Sequence, residues 1–82
     1  MLNIKQDGVR MVIDIRELVK QGMHPKREIL ETIQHAQKGT IFEIHLPHAA
    51  QPLVAAIESL GQDCVVNQLG PGHFRLLTLK MD

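Results

Sequence analysis

Thr40-Ile41-Phe42-Glu43-Ile44-His45-Leu46-Pro47 alternates side chains of two kinds along an extended run. In a strand, successive residues point to opposite faces, so Phe42, Ile44 and Leu46 share one side while Ile41, Glu43 and His45 share the other. Alternation of this kind marks a strand with one face in a core and one left open. Pro47 has no N–H to give to a ladder and ends the run.

Working outward, a helix is expected on each side of this strand. Upstream, Pro25 opens one at a position where its missing N–H costs nothing. Ile29, Leu30, Ile33 and Ala36 then recur at helical spacing, Lys26, Arg27, Glu31, Gln34, His35 and Lys38 take the wet side, and Gly39 is expected to stop the helix. Downstream, Pro52 opens a second helix with Leu53, Ala56, Ile57 and Leu60 inward and Gly61 as its stop. Further out, Val9 to Arg16 alternates again, with Met11, Ile13 and Ile15 on one face and Val12, Asp14 and Arg16 on the other. Leu18 to Met23, with Gly22, is expected to be a loop. Asp63 to Leu69 reads as a third strand, Gly70-Pro71-Gly72 as a turn, and His73 to Lys80 as a fourth. Residues 1–8 end in the turn signal Asp7-Gly8 and form a lead-in or a short edge strand.

The order is β-α-β-α-β-β. Each strand–helix–strand step requires a parallel, right-handed crossover, and the short final turn makes the last pair antiparallel. Two helices cover one face of four strands, so the fold class expected is an α+β two-layer sandwich: a four-stranded mixed sheet with both helices on one face. Its 82 residues form a single domain, 1–82, that buries about 60–65% of its unfolded surface. With 44% apolar residues but only two aromatics, the core must be aliphatic.

Nine basic side chains balance nine acidic ones, and Phe42 and Phe74 are the only aromatics. Neither the basic stripe nor the stacking platforms of a nucleic-acid binder are present, so nucleic acid is not an expected partner. No run approaches the roughly 20 apolar residues of a membrane span, and the first residues do not resemble a signal peptide. Cys64 stands alone, which excludes an intrachain disulfide and a four-cysteine zinc site. A cytoplasmic location, with no membrane partner, is the expectation.

Ile13-Asp14-Ile15-Arg16, the proline-opened helix at Pro25, Gly39 before the second strand, Pro52-Leu53 and Gly61 resemble the TusA/SirA-type sulfur-carrier domains over about residues 11 to 80. Asp14/Arg16, Pro25/Arg27 and Pro52/Leu53 are more similar still to the uncharacterised, cysteine-less branch of that superfamily, sometimes found beside hemerythrin-like domains. The resemblance implies a TusA-like sheet of order one-two-four-three, with strand four antiparallel to the other three. It also implies a Cys-Pro-x-Pro motif at the first helix start, whose thiolate carries sulfur. Aligned on Pro25, the cysteine position is Gly22, and residues 22–25 read Gly-Met-His-Pro. Glycine supplies no low-pKa sulfur, so classical sulfur transfer is not inherited.

Five histidines are the chain's most unusual feature. His35 falls on the polar side of the first helix and reads as solvated. His24, His45, His48 and His73 all fall toward the carboxyl edge of the parallel strands, where α/β sheets place ligands. His45, His48 and His73 are the candidate metal ligands, though their spacing matches no compact metal signature. Arg16 and Arg27, with the N–H groups at the Pro25 helix start, are candidates for binding a small anion together with these histidines. An Arg16–Glu43 pair is expected across the open face.

No nucleophile–base constellation or Gly-rich phosphate loop is visible, which favours a protein that is not an enzyme. The leading expectation is a non-enzymatic binding or regulatory module on a sulfur-carrier-like scaffold. A protein partner or second copy would meet its open face through Val12, Ile41, Leu77 and Leu79. One alternative is a metal- or redox-cofactor-binding domain using the histidine edge. Another is a sulfur-relay accessory using Cys64. No specific cofactor is indicated.

Overall fold

The computed structural model describes residues 2–81. Two strands open the chain, β1 (Asn3–Asp7) and β2 (Arg10–Asp14), followed by α1 (Arg16–Lys20), α2 (Lys26–His35), β3 (Ile41–Leu46), α3 (Gln51–Glu58), β4 (Cys64–Gly70) and β5 (His73–Leu79). The sheet order is β1-β2-β3-β5-β4. β2 and β3 are parallel, whereas β5 is antiparallel to both β3 and β4. The fold is thus mixed α+β, with five strands and three helices.

The alternation in β2 and β3 reappears as aligned rows. Ile13 lies opposite Ile44, Ile44 opposite Leu76, and Leu76 opposite Val66. These side chains join Ile29 and Ile33 of α2 and Leu53 and Ile57 of α3 in one buried cluster, so both long helices cover the same sheet face. The core is aliphatic around Phe42, which is fully buried. On the other face Ile41 lies opposite Leu79, and both remain exposed.

Two corrections concern the number of elements. The sheet has five strands where the expected fold class has four, because residues 3–7 form the edge strand, one of the two readings of the lead-in, and pair antiparallel with β2. Gly8, at φ +61°, supplies the left-handed conformation of the connecting turn. There are three helices rather than two, because α1 occupies the expected loop. The cause lies at the end of β2. The Asp14 carboxylate accepts the Arg16 backbone N–H at 3.1 Å, which turns the chain out of the strand two residues earlier than the alternation suggests. Leu18 and Val19 then pack against the core from the short helix.

The ends of α2 also differ from expectation. The helix stops at His35, with Ala36 already extended at ψ 158°. Gly39, at φ +92°, serves the entry to β3 instead, and its N–H reaches the Lys80 carbonyl at 2.7 Å. The polar groups buried at the far side of the core are paired. The Gln62 amide donates to Thr78 Oγ1 at 3.1 Å, and that hydroxyl donates to the Asp63 carbonyl at 2.8 Å.

Candidate functional site

Parallel strands β2 and β3 end side by side, and the chain leaves each to build a helix that returns over the same face. Between those departures lies a cleft of about 420 Å³. Its floor is apolar, made by Ile15 just past β2, Leu46 at the end of β3, Val19 of α1, and Ile29 and Leu53 one turn into α2 and α3. Its polar side chains are His24, Lys26, Arg27 and His48, all basic or imidazole. No side chain caps α2, whose first backbone bond runs from Ile29 N–H to the Pro25 carbonyl at 3.0 Å. The N–H groups of its first turn therefore lack intrahelical acceptors.

Local geometry at the other wall of the cleft is unusual. Ala50 sits at φ 50°, the one non-glycine residue of positive φ among those described. An L residue there costs about 1–2 kcal/mol. The Ala50 N–H donates to His48 Nδ1 at 3.1 Å, so a neutral His48 ring carries its proton on Nε2. Arg27 donates to Glu31 at 3.2 Å along the exposed side of α2.

A second cluster occupies the uncovered face. Glu43 and His45 project there from β3, and His45 Nε2 lies 2.7 Å from Glu43 Oε2. His73, at the start of β5, brings Nε2 to 2.8 Å from His45 Nδ1. Arg10 reaches the other Glu43 oxygen at 3.5 Å. The expected Arg16–Glu43 pair is thus not formed, because Asp14 takes the guanidinium of Arg16 at 3.1 and 2.8 Å. Burial pushes the His73 imidazole below its ordinary pKa, and the charge of Arg16 adds to that.

The three candidate metal ligands do not converge. His45 and His73 meet on the open face, whereas His48 lines the cleft under the helices. Among the described residues no group of three or more His, Cys, Asp or Glu side chains is placed to hold a metal ion. Burial raises the Cys64 thiol pKa, an environment that disfavours thiolate. Lys26 and the apolar floor were not legible in the chain, since they belong to one cavity only once both helices are docked. Glu43 could have been read as the partner of His45, because residues two apart on a strand share a face.

Asp14 gives this edge a pH dependence. Its side-chain hydrogen bonds to Arg16 hold its carboxyl pKa below the usual value of 3.8. The native state therefore favours the charged form, and the resulting stability is present above pH 3.8 and lost as pH falls through the lower native value. Because both side chains are about one-third exposed, the contribution is expected to be at most about 1 kcal/mol. Asp14→Asn should lower the urea midpoint near pH 6 and leave it almost unchanged near pH 2.5; an equal gap at both would rule out the ion pair as the cause.

A comparison with curated proteins finds no match to this chain. The profile of one family matches residues 12–80, a span that runs from within β2 to just past β5 and holds the whole cleft, Glu43, His45 and His73. By that match the chain belongs to DUF2249, a family of uncharacterized conserved proteins.

Proposed function

We propose that this chain is a small, non-enzymatic binding module on a TusA-like scaffold without the sulfur-carrying thiol, and that its ligand is a small anion with an apolar body. The observation that carries this reading is the cleft between the starts of α2 and α3. Its volume of about 420 Å³ falls in the range of small-molecule sites. Every ionisable side chain lining it is basic or imidazole, and the Glu31 carboxylate that pairs with Arg27 stands outside the lining. An anionic head is therefore complementary to the rim and to the unpaired N–H groups of the α2 first turn, while an apolar tail fits Ile15, Val19 and Leu53.

Several further facts support binding rather than catalysis. No Ser, Thr, Cys, Asp or Glu lines the cleft, so it offers no hydroxyl or thiol nucleophile and no carboxylate base. Gly22 stands where the sulfur carriers hold their cysteine, just ahead of His24 and Pro25 on the cleft wall. The strained Ala50 on the opposite wall agrees with the tendency of strain to gather at ligand sites. Strands β2, β3, β5 and β4 also follow the one-two-four-three order of the sulfur-carrier sheet.

The test is an NMR titration with hexanoate and, separately, inorganic phosphate. Hexanoate is expected to move the amides of residues 26–28 together with the methyls of Val19, Ile29 and Leu53, and phosphate the amides alone. Lys26→Glu should weaken hexanoate about tenfold, or about 1.4 kcal/mol. Absence of cleft shifts at millimolar hexanoate, or unchanged affinity in Lys26→Glu, would refute the assignment.

A further inference from the structure

Glu43, His45 and His73 form a chain of hydrogen bonds that lies away from the cleft and plays no part in the reading above. Glu43 and His45 share the open face of β3, and His73 stands diagonal to His45 on the neighbouring β5. Both links are short, at 2.7 and 2.8 Å. The two imidazole centroids are 5.0 Å apart with ring planes tilted by 41°, so the rings meet nitrogen to nitrogen rather than stacked. Glu43 and His45 are each only 15% exposed, which shields the first link from water.

The chemistry of the donors orders this chain in one direction. An ionised Glu43 can only accept, so His45 must carry its proton on Nε2. A neutral His45 then has a lone pair on Nδ1, and His73 must donate to it from Nε2–H. That leaves the lone pair of His73 on Nδ1, which has no protein partner among the described residues.

We propose that Glu43, His45 and His73 act as a single-proton acceptor on the open sheet face, and that proton uptake turns His73 Nδ1 from an acceptor into a donor. A solvent acid delivers its proton to His73 Nδ1. The N–H bond on His73 Nε2 breaks as one forms on His45 Nδ1, and the electron pair stays on His73 Nε2. His45 becomes the imidazolium between the Glu43 carboxylate and a His73 that is again neutral. Charge and proton count balance: one proton enters, and one positive charge appears, on His45.

Carboxylates on two strands favour placing the charge on His45. On β3, Glu43 touches His45 directly; on β2, Asp14 lies opposite His45, and Arg10 binds the far oxygen of Glu43. On β5, Arg75 lies opposite His45 and works against a charge there; its own neighbour on β4 is the neutral Asn67, and its buried Nε has no partner among the described residues. At the start of α1, Arg16 is held by Asp14. His73 is half-buried and feels Arg16, and both effects disfavour a charge on that ring. A second proton would leave no lone pair between the rings and would set two cations side by side, so uptake stops at one. At neutral pH the face thus offers a lone pair, and after acidification an N–H in the same place.

Two-bond proton–nitrogen correlations of the imidazole rings, recorded from about pH 8 to about pH 5 on the intact protein, read this directly. The expected result is His45 and His73 both protonated on Nε2 at the basic end. On acidification His45 should become doubly protonated while His73 stays neutral and its proton moves to Nδ1. Glu43→Gln should abolish the linked switch on His73. The proposal is overturned if His73 becomes the imidazolium first, if both rings become charged together, or if the switch persists unchanged in Glu43→Gln. The wild-type tautomers decide the matter even if that variant folds poorly.

Discussion

Phe42→Ala is expected to cost about 3–5 kcal/mol and to leave the chain close to unfolded at room temperature. Phe42 is the largest fully buried side chain and stands in the middle sheet strand, opposite Met11 on one side and Thr78 on the other. Truncation removes the transfer free energy of the ring and leaves a void that stiff Ile neighbours cannot close. A domain of this size has a total stability of about 4–12 kcal/mol, so the loss is comparable with the whole. Urea denaturation followed by far-UV circular dichroism measures it. Phe42→Leu, which keeps most of the volume, should lose roughly 1–2 kcal/mol and sets the scale if the alanine variant is unfolded throughout. A cost under 1 kcal/mol for alanine would mean that the core is not centred on this ring.

Thr78→Val is the second large effect, at about 2–3 kcal/mol despite its nearly unchanged shape. Thr78 is 3% exposed and Gln62 6% exposed. The threonine hydroxyl accepts from the Gln62 amide and donates to the Asp63 carbonyl, so valine strands the buried amide and removes the carbonyl's partner. This network joins the chain leaving α3 to β5 and so anchors the start of the edge strand β4. In the double variant Gln62→Leu/Thr78→Val one stranded group is removed, and its cost should fall at least 1 kcal/mol below the sum of the two single changes. Additive costs would show that the amide and the hydroxyl do not depend on each other.

The accuracy of the sequence reading followed the range of the physics involved. Period-two runs around Ile13 and Ile44 and helical spacing in Ile29/Ile33 and Leu53/Ile57 are local, and all six side chains meet in the core. Misreadings arose where one side chain chose between partners. Asp14 could extend β2 or turn it; by taking the Arg16 N–H and guanidinium it ended the strand, seeded α1, and left Glu43 to Arg10. Gly39 looked like a helix stop because it follows an apolar stripe, yet α2 ends a turn earlier and the glycine serves β3.

The histidines show the same division. Alternation along β3 puts His45 on the open face, and the turn after Gly70 returns His73 beside it, so their meeting was implied by topology. Which nitrogen faces which, and that Glu43 completes the chain, depends on ångström-scale placement across strands. His48 lies only three residues from His45, yet beyond Pro47 the chain has turned toward α3 and takes the ring into the cleft.

By itself, then, the sequence determined four of the five strands, the stripes of the two longer helices, the shared covered face and the absence of a thiol at position 22, because each rests on neighbours along the chain. The tertiary structure alone decided the cleft, the pairing of Asp14 with Arg16, and the division of the histidines between two faces. Those features are set by distances between elements far apart in the chain, and no periodicity encodes them.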